Sequence, residues 1–257
     1  MSELFVDCIK MESAPPEDSY PGCLPVVKAL KKLGKLEFSS PVTFFVGENG
    51  IGKSTLVEAI AVALGFNPEG GGRNFDFSTC ASHSDLYKYL TVSRKVTGGR
   101  SRRRDGFFLR AESFYNVASY IDEIDRIPAA APPIINSYGG VSLHHQSHGE
   151  SFMALMENRF GGDGIYILDE PEAALSPARL MRMLVLIHEL AEKNSQFIIS
   201  THSPILLAYP DAAIYELTEE DIRRVTYRET AHYQLTKRFL DDPERMLSYL
   251  FEEKENS

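Results

Sequence analysis

The sequence predicts an α/β fold built around a largely parallel, covered sheet. Three short apolar runs suit buried strands: one within residues 36–46, "IYILDE" (165–170) and "QFIIS" (196–200). Between them lie segments with the apolar spacing of helices, so strands and helices alternate rather than meeting in hairpins. Polar or glycine-bearing residues follow each run at its carboxyl end, where open α/β sheets bind ligands. The chain has 257 residues and 43% hydrophobic content, enough for one large or two small domains. A single domain over residues 1–257 is expected, with a helical subdomain inserted at about 110–160.

Taken in order, residues 4–11 read as a strand and "SAPPEDSYPG" (13–22) as a loop rich in Pro and Ser. Residues 26–33 form a short amphipathic piece, and the strand within 36–46 feeds a glycine loop. Residues 54–64 place Leu56, Val57, Ile60, Ala61 and Leu64 on one helical face. "GFNPEGGGRNF" (65–75) is expected to be a mobile loop. Apolar alternation over 86–110, broken by "TGGRSRRRDG" (97–106), predicts two strands joined by a basic turn. Residues 114–124 look helical, 126–140 irregular, and a helix follows from about 149 to 160. A further helix spans 177–191, capped by Ser176 with Pro177 at its first position. Residues 214–227 are mixed, and Asp242-Pro243 opens a last helix. No internal repeat and no heptad run long enough for a coiled-coil arm is present.

Composition bounds the partners. Charged residues make up 25% of the chain and the formal net charge is −9, which argues against whole-chain attraction to nucleic acid or an anionic membrane. Arg100, Arg102, Arg103 and Arg104 form a local basic cluster, read first as a solvated hairpin tip and second as a phosphate contact to nucleic acid. Three cysteines, Cys8, Cys23 and Cys80, form no C-x-x-C pair and suit a reducing compartment. The start, "MSELFVDCIK", has no basic region followed by an apolar one, and no run approaches a membrane span. A cytoplasmic protein with no direct membrane insertion is expected.

The glycine loop carries the strongest chemical signal. "GENGIGKS" (47–54) fits G-x-x-x-x-G-K-[ST] at every fixed position. Backbone N–H groups must converge on phosphate oxygens, and glycine permits the dihedrals and the close approach. The following helix turns its positive end to the same anion. Asn49, Gly50, Ile51, Gly52, Lys53, Ser54 and Thr55 are the candidate phosphate-binding residues. Lys53 reaches the terminal phosphates and the Ser54 hydroxyl binds Mg²⁺. In "IYILDEPEAALSP" (165–177), Asp169 ends a buried strand and can hold the metal; Glu170 follows and can accept a proton from an attacking water. In "QFIISTHSP" (196–204), His202 stands at another strand end, placed to contact a terminal phosphate or orient water. "QSHGES" (146–151) reads as a capping box between Ser147 and Glu150, and the same capped helix offers bare N–H groups to an anion through Ser147, His148 and Gly149.

The order of these elements decides the reading. Ser147 lies 94 positions after Lys53 (147 − 53), Asp169 lies 22 further (169 − 147) and His202 another 33 (202 − 169). With that order the chain resembles the ABC-type ATPase family of P-loop NTPases. "GENGIGKS" looks like its Walker A, "QSHGE" like a variant signature motif, "IYILDE" like its Walker B with the catalytic glutamate, "EAALS" like its D-loop and "STHSP" like its H-loop. The resemblance covers about residues 36–215. It implies a nucleotide-binding domain with a mostly parallel central sheet, an N-terminal antiparallel β part and a helical signature subdomain. It also implies ATP hydrolysis to ADP and phosphate with Mg²⁺, and a head-to-tail homodimer around two ATP, with Ser147, His148 and Gly149 acting in trans. Glu170 and His202 are the implied catalytic residues, and Ser54 and Asp169 the implied metal ligands.

Two features depart from the family. His148 replaces a glycine of the signature motif. The glutamine expected after a mid-chain strand is absent; "FFLRAESF" (107–114) occupies its slot, and Glu112 is the candidate substitute as metal or water contact. No aromatic residue is assigned to the adenine. Glu172 and the trailing Ser-Pro look more like the non-transporter branch, which serves chromosome maintenance, recombination and defence, and the chain also resembles a group of compact bacterial predicted ATPases. The implied partners are therefore nucleic acid or an operon-encoded effector protein. An ATP-binding subunit of a membrane transporter, and an ATP-gated regulatory or toxin-partner module with little turnover, are the alternatives. His144, His145 and His148 cluster ahead of the signature helix, but Ser147 as cap leaves His144 outside it, which disfavours a zinc pair.

Overall fold

A computed structural model describes residues 4–75, 83–94, 105–128 and 132–255. The first described strand, β1 (Val6–Met11), is followed by helices α1 (Tyr20–Cys23) and α2 (Pro25–Leu33). Strands β2 (Lys35–Glu37) and β3 (Val42–Val46) lead to α3 (Lys53–Ala63). Next come β4 (Leu90–Arg94), β5 (Gly106–Arg110), α4 (Phe114–Asp125) and α5 (His148–Arg159). β6 (Ile165–Asp169), α6 (Pro177–Glu192), β7 (Gln196–Ser200) and the single turn α7 (Pro204–Leu207) continue the alternation. β8 (Ala213–Leu217) and β9 (Ile222–Val225) precede α8 (Ala231–Asp241) and α9 (Pro243–Glu255).

The main sheet has the order β5-β6-β7-β3-β8-β9 and is parallel except for β9, which runs antiparallel to β8. A second sheet, β2-β1-β4, is antiparallel throughout. The α/β architecture with a mostly parallel sheet and an N-terminal antiparallel part is thus as the sequence predicts. Every residue of β3, β6 and β7 is buried, which is why these strands read as unbroken apolar runs. Their side chains alternate between two cores. Phe44, Tyr166, Leu168 and Ile199 face α5 and α6, whereas Phe45, Ile165, Ile167 and Ile198 face α2, α3 and the small sheet.

α3 lies between the two sheets, and seven of its eleven residues are buried: Lys53, Leu56, Val57, Glu58, Ala59, Ile60 and Ala61. A helix buried nearly all round keeps its ends in place, and here the fixed end is the glycine loop. Gln196 ties the sheets together. Its Oε1 accepts from the Phe5 and Val6 backbone N–H groups at 2.9 and 2.8 Å, and its Nε2 donates to the Val6 carbonyl at 3.0 Å.

Register sets the carboxyl edge of the main sheet. Arg110 pairs with Asp169, Asp169 with Ser200, and Ser200 with Phe45, two residues before Gly47. Arginine, carboxylate, hydroxyl and glycine loop therefore stand side by side, although they are far apart in the chain.

Two expectations need correction. The strands within 86–110 exist but form no hairpin: β4 pairs with β1 in the small sheet, and β5 pairs with β6 at the edge of the main one. Alternation identifies a strand without naming its partner. The segment 65–75 is docked rather than loose. Gly71 N donates to the Phe108 carbonyl at 2.8 Å and Phe108 N to the Gly71 carbonyl at 3.0 Å, so the loop covers the free edge of β5. The last helix, α9, opens at Pro243 as expected, and α8 stands before it, ending at Asp241, with no matching expectation from the sequence. The basic cluster Arg100, Arg102, Arg103 and Arg104, together with Cys80, lies outside the described residues. Among the described residues no helix is long and apolar enough to cross a membrane.

Candidate active site

The glycine loop joins β3 to α3 with backbone that side chains disfavour. Gly47, Gly50 and Gly52 have φ of 154°, 83° and 100°. A Cβ on Gly47 would stand 2.5 Å from the Leu217 carbonyl oxygen, and one on Gly52 would stand 2.6 Å from Val26 Cγ1. Gly50 faces open space, where a ligand can approach the backbone. Lys53 is buried at the first position of α3, and its Nζ donates to the Gly47 and Glu48 carbonyls at 2.9 Å each. Burial lowers its pKa from the ordinary lysine value, while Glu170, Asp169 and Glu172 act in the opposite direction. Asn49, Gly50, Gly52, Lys53, Ser54, Thr55 and Glu170 line one cavity of about 170 Å³, with Tyr20 and Leu24 completing its wall. Ile51 is buried beneath the loop, and its carbonyl accepts from Val26 N at 3.1 Å.

Asp169 ends β6 in a buried polar network. Its Oδ1 accepts from Ser200 Oγ at 2.6 Å, and its Oδ2 lies 3.3 Å from Arg110 Nε. The Arg110 guanidinium also binds Glu58 Oε2 at 2.6 Å, and Glu58 Oε1 accepts from Ser84 N at 2.9 Å. Arg110 therefore joins the α3 helix to the end of β6 and compensates two buried carboxylates at once. Glu112 stands on the same edge, largely exposed, 3.6 Å from Arg110.

Glu170 takes the left-handed conformation, φ 47° and ψ 54°, directly after β6. Such backbone is uncommon outside glycine, and it turns the side chain from the sheet into the cavity. The turn is held by Glu170 N donating to the Ser200 carbonyl at 3.1 Å. Desolvation raises the Glu170 pKa above the ordinary value, Asp169 adds to the rise, and Lys53 opposes it. Glu170 Oε1 lies 3.4 Å from His202 Nε2. The Nδ1 of His202 lies 2.8 Å from Nε2 of His232, on α8. The His202 backbone N–H donates to Glu172 Oε1, whose carboxyl is pushed up in pKa by burial.

The serine-led helix α5 stands apart from this cluster. Glu150 Oε2 accepts from Ser147 N at 3.1 Å and from Ser147 Oγ at 2.5 Å, the capping box read from the sequence. Ser147 is exposed, and it is not among the residues lining the loop cavity. Gly149 is buried, and a Cβ there would meet the Ala174 carbonyl at 2.9 Å, so glycine permits α5 to approach the turn after Glu170. His148 and His144 both pack on the Tyr115 ring, with centroids 5.5 and 5.6 Å away.

Four contributors escaped sequence reasoning. Arg110 sits inside "FFLRAESF", where Glu112 is the residue the sequence singles out. Ser200 ends an apolar strand and reads as a simple strand end. Tyr20 belongs to α1, capped by Ser19 with Pro21 in its first turn, a start signal present inside the supposed loop. Its hydroxyl lies 3.4 Å from Thr55 Oγ1 and its ring is exposed. His232 is 30 residues from His202 and has no local signal.

These features define a nucleotide-binding P-loop domain, and comparison with known proteins agrees. Residues 27–132 match a family described as "AAA domain", and residues 141–208 match one described as "AAA domain, putative AbiEii toxin, Type IV TA system". The chain is 27% identical over 208 residues to the ribose import ATP-binding protein RbsA of Yersinia pestis, an alignment covering 75% of this chain and 38% of that protein. It therefore spans under two fifths of the length of that relative. It is 28% identical over 215 residues to the cobalt import ATP-binding protein CbiO of Salmonella typhi, covering 77% of this chain and 74% of that one. Among solved structures, cbiO1 from Clostridium perfringens, part of the ABC transporter complex cbiONQ, superposes with a TM-score of 0.50 at 18% identity, over 97% of this chain and 100% of that one. Over these matches the chain is similar to AAA-domain proteins and to ATP-binding proteins of the ABC type.

Proposed function

We propose that this chain hydrolyses ATP to ADP and phosphate, and that two copies close head to tail around two nucleotides to serve a process other than membrane transport. One observation carries the reading: Lys53, Ser54 and Glu170 line a single cavity at the carboxyl edge of a parallel sheet, beside Asp169, and Glu170 Oε1 lies 3.4 Å from His202 Nε2.

In this account the N–H groups of residues 49–55 and the end of α3 hold the phosphates. The Lys53 ammonium exchanges its two carbonyl partners for β- and γ-phosphate oxygens. The exposed Tyr20 ring offers a flat face to the adenine. Glu170, whose pKa is raised by burial and by Asp169, accepts the proton of the attacking water. His202 directs its Nε2 at the γ-phosphate. Ser54 and Asp169 form an all-oxygen donor set that suits Mg²⁺, with Glu112 nearby on the same edge. When bound, Mg²⁺ neutralises charge on the phosphate oxygens. Ser147, His148 and Gly149, at the start of a twelve-residue helix, act on the nucleotide of the opposite copy. The helices between β5 and β6, about residues 110–160, form the subdomain that presents them.

A non-transport role, in DNA maintenance or a defence-type response, is supported by the toxin-system description of the family matching residues 141–208 and by the sequence around Glu172. A second reading, an importer's ATP-binding subunit, is favoured by the names of the curated relatives. Fractionation separates them: recovery with a membrane partner supports the importer, and recovery free of membranes supports the first reading. Phosphate release from ATP tests the activity itself. It is expected with Mg²⁺, to stop with EDTA, and to return when Mg²⁺ is restored; no release in any of these conditions would overturn the assignment.

A further inference from the structure

The ATPase reading uses His202 but leaves its neighbour unexplained. Nδ1 of His202 and Nε2 of His232 are 2.8 Å apart, with the rings edge to face at 62° and centroids 5.0 Å apart. The two outer nitrogens, Nε2 of His202 and Nδ1 of His232, are buried and have no hydrogen-bond partner among the described residues. Burial and the Lys53 charge lower the pKa of both rings, which favours a neutral pair sharing one proton.

Two arrangements of that proton exist. If His202 Nδ1–H donates, the bare Nε2 lone pair of His202 is directed at the Glu170 carboxylate 3.4 Å away, and His232 keeps a buried N–H on Nδ1 with no acceptor. If His232 Nε2–H donates, His202 carries its proton on Nε2, facing the carboxylate, and His232 retains only an unused lone pair. A buried, unsatisfied donor and opposed lone pairs make the first arrangement the costlier one.

We propose that His232 is a positioning residue: its Nε2–H donates to His202 Nδ1, holding the His202 ring in place with its proton on Nε2, directed at the site of the γ-phosphate. The inference rests on the ATPase reading and adds the C-terminal helix α8 to the machinery. Thr230, buried at the helix start, caps α8 by accepting from Tyr233 N at 3.3 Å, so His232 is delivered by a fixed first turn.

The test joins spectroscopy to kinetics on the full chain. In nucleotide-free protein with ¹⁵N-labelled histidine, two-bond ¹H–¹⁵N correlation is expected to show His202 protonated on Nε2 and bare on Nδ1. His232→Phe keeps a ring but cannot donate; it should give averaged His202 shifts and a kcat lower by about tenfold or more, with KM for ATP changed less than about threefold. His232→Gln, whose amide nitrogen can take the place of Nε2, should restore kcat to within about threefold of wild type. A proton on His202 Nδ1 in the wild type, or a His232→Phe variant with unchanged shifts and unchanged kcat, would overturn the proposal. A wild type that neither binds nor hydrolyses ATP would instead refute the ATPase reading, and the nucleotide-free spectrum would still decide the tautomer.

Discussion

Glu170→Gln should lower kcat for ATP hydrolysis by about 10²- to 10⁴-fold while leaving ATP affinity equal or tighter. The amide keeps the volume of the carboxyl but cannot accept the proton of an attacking water. Binding should be spared because the proposed phosphate contacts come from the glycine loop and Lys53, which line the cavity with Glu170. Stability should not fall either. The Glu170 pKa is raised in the folded protein, so at neutral pH the ionised carboxylate opposes folding, and a neutral amide removes that opposition. Single-turnover and steady-state assays, with a thermal melt alongside, read all three quantities. Hydrolysis at the wild-type rate would show that another group takes the proton.

Lys53→Met should weaken ATP binding by about a hundredfold or more. A charge-assisted hydrogen bond to phosphate contributes about 1.5–3 kcal/mol, and the ammonium is placed to make two. About 3 kcal/mol corresponds to roughly two powers of ten in Kd. The methionine stem keeps most of the buried volume, so the loop keeps its packing, and the fold should survive because burial already disfavours this ammonium. Calorimetric titration of nucleotide against both proteins measures the difference. An affinity within about threefold of wild type would place the phosphates elsewhere.

Much of the fold was legible because burial on both faces leaves a plain mark. β3, β6 and β7 are apolar at almost every position, and the polar residue after each run marks the sheet edge where Gly47, Asp169 and Thr201-His202 cluster. Local rules also recovered the caps: Ser176 before α6 and Ser147 with Glu150 before α5 depend on residues three apart. What escaped depends on long-range pairing. Nothing within 86–110 says that β4 joins β1 while β5 joins β6, because the alternation is the same for either partner. Arg110 acquires its role only when strand register brings it beside Asp169, and a reader of "FFLRAESF" sees a carboxylate and an arginine of equal promise. α8 buries none of its residues and so leaves a weak apolar pattern that escaped, whereas Asp242-Pro243 marks the start of α9 in the sequence. His232 meets His202 only through the path of the chain across β8 and β9.

Closure of two copies by nucleotide, with the Ser147 helix of one meeting the phosphates held by Lys53 of the other, is the central proposal. Size-exclusion chromatography with light scattering on Glu170→Gln addresses it directly, since this variant is expected to bind ATP and turn it over far more slowly. With ATP and Mg²⁺ the mass should double from the 28.8 kDa of one chain, and it should return to one chain when nucleotide is removed or Ser147 is replaced by Arg. A mass of one chain under saturating ATP would contradict the account.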